Sequence, residues 1–181
     1  MVEKRGNQHG ESSDVGIGIK YYGSLFSDFD SRPYSQKLLS EDLLREINRV
    51  VKHKNKGEFE LKLLVQKKVR NLREEKVIKK RLKEHFKNHL FNIEKLKKKS
   101  MVQGALFILF GVLFMIIATF FLINPESSYL ITFLSVLSEP AGWFLFWEGL
   151  NILIFDIKKS FPEIEFYKKM SKVQIKFADF E

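Results

Sequence analysis

The chain has 181 residues, 31 Lys+Arg against 22 Asp+Glu and a formal net charge of +9, with a mean hydropathy of -0.16. That length holds one ordinary domain, or a small domain plus a membrane part. Cysteine is absent, which excludes a disulfide framework, a thiolate nucleophile and any Cys-based metal site, and is what a reducing compartment would allow.

Near-neutral hydropathy with 29% charged residues requires charge and apolarity to be segregated along the chain. From Glu41 to Ser100 there are 20 Lys+Arg against 9 Asp+Glu, whereas Met101 to Ile157 contains no Lys or Arg. The stretch "MVEKRGNQHGESSDVG" at the start lacks the apolar core of a secretory signal, so any insertion into a bilayer must use internal segments. Residues 1–14 are expected to be a disordered tail.

In chain order, the first element expected is a strand in "VGIGIKY" (15–21), with Val15, Ile17, Ile19 and Tyr21 on one face. Gly16 and Gly18 alternate with these residues, and no phosphate-binding fingerprint follows them. Ser35 can cap a helix running to about His53, with Leu39, Leu43, Ile47 and Val50 along one side and Gly57 after its end. A second strand, "EFELKLLV" (58–65), places Phe59, Leu61, Leu63 and Val65 together. From about Leu72 or Arg73 a helix runs without a breaker to Lys99 and into the next apolar stretch, roughly fifty residues in all. Its stripe is Ile78, Leu82, Phe86, Leu90, Ile93 and Leu96.

"MVQGALFILFGVLFMIIATFFLI" (101–123) is long enough to cross a hydrocarbon core of about 30 Å as a helix. Gln103, Gly104, Gly111 and Thr119 are its departures from apolar bulk, and Asn124-Pro125-Glu126 breaks it. In the following stretch, 129–157, Ser138 reads as an N-cap, with Glu139 near the positive helix end and Pro140 in the first turn. The second span is then 140–157, with 129–137 a short interfacial or re-entrant helix. The alternative is a single tilted helix from Tyr129 kinked at Pro140. A short helix near 162–170, opened by Pro162, leads to a third strand, "VQIKF" (173–177), where Val173, Ile175 and Phe177 share a face.

These elements predict an α+β protein. Transmembrane helices 100–123 and 140–157 form a hairpin joined by an extracytoplasmic or interfacial connection, 124–139. Residues 15–99 and 158–181 together build a small cytoplasmic domain with a roughly three-stranded sheet, since two strands alone are marginal. The first span is continuous with the long amphipathic helix, which would couple the domain rigidly to the membrane. "KLKKKS" abuts the first span and "DIKKS" ends the second, while no basic residue lies between them. The positive-inside rule therefore puts both termini in the cytoplasm, with the chain in the plasma (inner) membrane.

The order of "LFSDFDSRPYS" (25–35), a strand before a long basic helix, "GWFLFW" (142–147) and "IFDIKKS" (154–160) resembles a family of uncharacterised bacterial two-span integral membrane proteins. The family pattern pairs Leu-Phe-x-x-Phe-Asp-x-x-Pro near the start with Gly-Trp-x-x-x-Trp in the last span. Each motif is short, but the resemblance extends over nearly the whole chain. The resemblance implies the two-span architecture and brings no catalytic residues. Family members often carry Arg-Pro or Glu-Pro, then Glu two residues on, after the second Trp; this chain departs with Glu148-Gly149-Leu150-Asn151.

The candidate site is intramembrane and polar. Glu148, placed near mid-membrane by the 140–157 reading, would cost about 2.5–3.5 kcal/mol as a charge there. Asn151 lies one helical turn on, and Gln103 is in the other span. They can act as hydrogen-bonded helix glue, as an oligomer contact, or as an ion path. Trp143, Trp147, Lys97, Lys98, Lys99, Lys158 and Lys159 are expected to anchor the hairpin at the lipid surface. His85 and His89, at i and i+4 within the apolar stripe, read as packed imidazoles, since a metal would need a third ligand that no spacing supplies. No nucleophile–base pairing appears, and the basic block lacks interleaved exposed aromatics, so neither catalysis, a cofactor nor nucleic acid is expected. The function expected is a non-enzymatic membrane scaffold or docking module, self-associating through Glu148, Asn151 and the small residues of the first span, or bound to another protein. The alternative is an oligomeric pore using Glu148; a weaker one is an enzyme subunit whose chemistry lies in a partner.

Overall fold

The computed structural model describes residues 15–52, 59–123 and 128–180. The expected tail 1–14, Gly57 and the break at 124–126 lie outside them. In chain order the elements are β1 (Val15–Ile19), a 3₁₀ turn (Tyr22–Leu25), α1 (Glu41–Lys52), β2 (Glu60–Gln66), a 3₁₀ turn (Lys67–Val69) and α2 (Leu72–Ile123). Next come α3 (Tyr129–Asn151), a π-helical turn (Ile152–Asp156), α4 (Ile157–Lys159), α5 (Phe161–Lys172) and β3 (Gln174–Phe180). The described residues form two compact units: one of residues up to His89 together with Phe166 onward, the other from Leu90 to Glu165.

In the first unit the three strands form one sheet in the order β1-β2-β3, parallel throughout, a direction that the alternation of apolar residues leaves open. Ile17 lies opposite Leu63, and Leu63 opposite Phe177. Parallel neighbours require a crossover rather than a tight turn. The first crossover is α1; the second leaves β2 through α2 and returns through α5, with the whole apolar hairpin inside it. Each strand buries alternate residues: Val15, Ile17 and Ile19 in β1, Leu61, Leu63 and Val65 in β2, Ile175 and Phe177 in β3. The helices complete this core with Leu43, Ile47 and Val51 of α1, Ile78, Leu82 and Phe86 of α2, and Phe166, Tyr167 and Met170 of α5. The opposite face of the sheet is open: Gly16, Gly18, Gln174 and Lys176 are exposed, and Lys62 and Leu64 half-buried.

Several boundaries differ from the sequence reading. Tyr21, expected on the buried face of β1, is exposed, and Tyr22 is buried in its place because the strand ends at Ile19. Ser35 does not cap α1, which begins at Glu41 and buries Val51 rather than Val50. The chain before it is a closed loop: Phe26 bridges to Leu39, and the Asp30 carboxylate gathers the backbone N–H of Leu38 (2.7 Å) and the Nη2 (2.8 Å), Nε and backbone N–H of Arg32. Side-chain acceptors of this kind offer the backbone an alternative to a helix. Those bonds, led by the one to the guanidinium, hold Asp30 well below the usual carboxylate range. Along α2 the stripe is buried as far as Phe86, while Leu90 and Ile93 are only half-buried and Leu96 is exposed.

The second unit holds the largest departure. Ser138 caps nothing; it lies inside α3, and the backbone is helical from Tyr129 to Lys159, straight through Pro140. The helix itself is thus continuous, as in the one-helix alternative, rather than broken between 129–137 and 140–157. Pro140 donates no N–H, so the Val136 carbonyl loses its usual partner. Around it the hydroxyls of Thr132, Ser135 and Ser138 donate back to the carbonyls four residues earlier, a habit of helices in apolar surroundings.

The two long helices meet along a seam of small residues at seven-residue spacing: Gly104, Gly111 and Ala118 on α2, and Ser135, Gly142 and Gly149 on α3, all buried. A Cβ at Gly111 would stand 2.7 Å from both the Gly142 carbonyl oxygen and the Phe146 nitrogen; one at Gly149 would stand 2.7 Å from the Gly104 oxygen. Backbone thus touches backbone, with Gly104 facing Gly149 and Gly111 facing Gly142, as in close helix pairs in lipid. The same antiparallel step sets Ala118 against Ser135.

Candidate functional site

Within this single chain the expected polar residues do not bond to one another. Glu148 is half-buried, Asn151 and Gln103 are exposed, and no hydrogen bond or ion pair among the described residues reaches any of the three side chains. Glu148 is also displaced from the middle of the hairpin. Gly111 and Gly142 face each other at the centre of the 101–123 stretch, and Glu148 lies six residues from Gly142 toward the basic end, roughly 9 Å at 1.5 Å per residue. Glu139, expected at a helix start, stands closer to that centre and is exposed. The backbone next to Glu148 is unusual: its carbonyl shares the Ile152 N–H with that of Gly149, at the entry to the π-helical turn. Such turns insert one residue and re-aim the chain beyond it.

The residues expected to anchor the hairpin differ in their surroundings. Trp143 and Trp147 are exposed on the hairpin surface. Lys97 places its ammonium over the Phe161 ring, 4.5 Å from the centroid, and Lys159 pairs with Asp156 at 3.0 Å. Lys98, Lys99 and Lys158 are exposed.

A tighter constellation, which sequence reasoning missed, sits where the strands of the first unit end. Arg70, just past β2, grips both oxygens of Glu75 in the first turn of α2 (2.9 and 3.0 Å) and reaches Asp179 of β3 at 2.8 Å. The Tyr22 hydroxyl, just past β1, donates to Glu75 at 3.0 Å and accepts the backbone N–H of Asn71 at 2.9 Å. Glu75 is 4% exposed. The Arg70 guanidinium pulls its carboxyl below the ordinary value, outweighing burial, which pushes the other way. Burial raises the Tyr22 hydroxyl. The only local signal was an acid in the first turn of a helix, a common dipole partner; its partners Tyr22 and Asp179 are far away in sequence. The geometry locks three strand ends and a helix start together, and its donors and acceptors are spent on one another.

His85 and His89 lie side by side on α2, ring centroids 5.8 Å apart, and His89 stacks on Tyr167 of α5 at 4.1 Å. The His85 Nε2 is buried with no hydrogen-bond partner. Burial, then the neighbouring His89 and Arg81, lower its pKa to about 4. Among the described residues no group of three His, Asp or Glu gathers into a metal set. The two rings pack against Phe86 and Tyr167.

Fold and sites define a protein with a small parallel sheet and two helices long and apolar enough to cross a membrane. No protein-family model, curated protein or solved structure matches this chain.

Proposed function

We propose that the chain is a non-enzymatic integral membrane protein whose hairpin spans the plasma (inner) membrane twice, with both ends in the cytoplasm and the sheet unit serving as a docking module. The observation that carries this reading is the outer surface of the hairpin. The most apolar windows of its helices are only 11% buried, and large side chains such as Leu109 (61% exposed), Leu130 (67%) and Phe144 (69%) point outward. A soluble monomer does not sustain an apolar surface of this extent. Lys97, Lys98 and Lys99 on one helix and Lys158 and Lys159 on the other mark the same end, which supports the inside orientation.

Docking is supported by the open sheet face. Parallel sheets are ordinarily covered on both faces, and here Gly16 and Gly18 leave β1 bare beside Leu64. The glycines of the first span are spent inside the chain, so a second copy would meet other surfaces, with Glu148 and Asn151 among those left. Membranes stripped with alkaline carbonate should retain the protein, and tags at both ends should resist external protease in intact cells. Release by carbonate, or cleavage of either tag, would overturn the reading.

A further inference from the structure

A groove of about 580 Å³ runs along α2, lined by that helix alone. Lys95, Lys98 and Lys99 stand at one end, Gln103 follows one turn on, and Leu106 and Phe110 form the other end. At 100° per residue this stripe is turned roughly 140° away from the glycine seam, so α3 does not use it. Leu106 (45% exposed) and Phe110 (47%) are open along it.

Three features limit what can lie there. The lysines are uncompensated: no ion pair among the described residues reaches Lys95, Lys98 or Lys99, whereas Lys159 has Asp156 and Lys97 is turned onto Phe161. The lining is ordered along the helix: the stems of the three lysines first, then Gln103, then Leu106 and Phe110, so that a ligand on the hydrocarbon strip has the lysine ammonium groups within reach of one end. The length fits one leaflet, because Lys99 to Phe110 is eleven residues, roughly 16 Å of helix, against about 15 Å for half a hydrocarbon core.

We propose that this groove binds one anionic phospholipid of the inner leaflet. The lysines hold its phosphate, the Gln103 amide donates to the glycerol-ester level, and one acyl chain lies along Leu106 and Phe110. A symmetric contact with a second copy on this face would bring six ammonium groups together, so charge complementarity selects the lipid. The site also gives Gln103 a task that the hairpin does not. The proposal rests on the two-span reading.

The test is native mass spectrometry of the full chain in detergent micelles, titrated with phosphatidylglycerol and with phosphatidylcholine. Phosphatidylglycerol should be retained preferentially, one molecule per chain. Lys95→Gln/Lys98→Gln/Lys99→Gln should weaken retention by about tenfold or more, given the usual contribution of each basic residue at an anionic surface. Lys158→Gln/Lys159→Gln, at the same end of the hairpin, should leave it unchanged. Leu106→Asn/Phe110→Asn should weaken phosphatidylglycerol but not glycerol phosphate. Equal loss in both lysine variants would reduce the site to general surface charge and overturn it. So would glycerol phosphate competing as well as the lipid, or a dimer that excludes lipid. A chain that carbonate releases from membranes would instead remove the two-span reading itself.

Discussion

The sheet unit and the hairpin unit hold together by opposite means. In the first, large side chains interlock: Phe86, Leu82 and Met170 are fully buried, and the strand ends are fastened by Arg70, Glu75, Tyr22 and Asp179. In the second, the contact exists because side chains are missing, with glycine backbone against glycine backbone and no charged group in the seam. On the two-span proposal the difference follows from what would surround each unit. Water drives apolar side chains together; in a bilayer that force would be absent, and close approach of backbones would supply van der Waals contact instead. The two units should therefore fail in different ways.

The strongest test of that contrast is Gly111→Val. Its new side chain begins 2.7 Å from backbone atoms that cannot move aside, so the hairpin should lose about 3 kcal/mol or more by overpacking, read as a lowered unfolding midpoint in detergent. An unchanged midpoint would mean that the seam does not form. Acid should give a smaller effect, confined to the sheet unit. His85 has a folded pKa of about 4 against an ordinary 6.5, so as pH falls through 6.5 the unfolded chain takes the proton first and stability declines down to about 4. The lowered pKa of Glu75 adds stability that is complete above its ordinary 4.5 and is lost as pH falls below that. His85→Leu should abolish the upper part of the decline and leave the lower, measured by urea unfolding across pH. The smallest effect expected is a gain. A Cβ at Gly18 meets nothing within 4 Å and no glycine among the described residues has positive φ, so Gly18→Ala should stabilise by about 0.4–1 kcal/mol, the reverse of the Gly111 result.

Elements whose signal is local were legible in the residues. The alternation in 15–21, 58–65 and 173–177 marks three half-buried strands, which run over Val15–Ile19, Glu60–Gln66 and Gln174–Phe180, and the breaker-free run from Leu72 marks the 52-residue helix. Strand direction was not legible, because alternation is the same in parallel and antiparallel sheets. Pro140 misled for a definable reason: Ser-Glu-Pro is a common helix start, but a helix can also run through a proline at the loss of one N–H bond, and here the backbone is helical on both sides of it. The seam was present as two seven-residue series, visible only when both helices are laid antiparallel. Taken singly, Gly104 and Gly111 read as material for self-association. The lock could not be found, since Tyr22, Glu75 and Asp179 meet only after two crossovers close.

The placement of the hairpin inside the second crossover orders events during synthesis. β3 follows both apolar helices in the chain, so a ribosome has delivered both of them before the sheet can receive its third strand and Arg70 its second carboxylate. Until then β2 keeps one bare edge, open to pairing with any extended chain nearby. Completion of the sheet thus waits until both long helices have been made, and a chain halted before that point leaves the β2 edge unpaired.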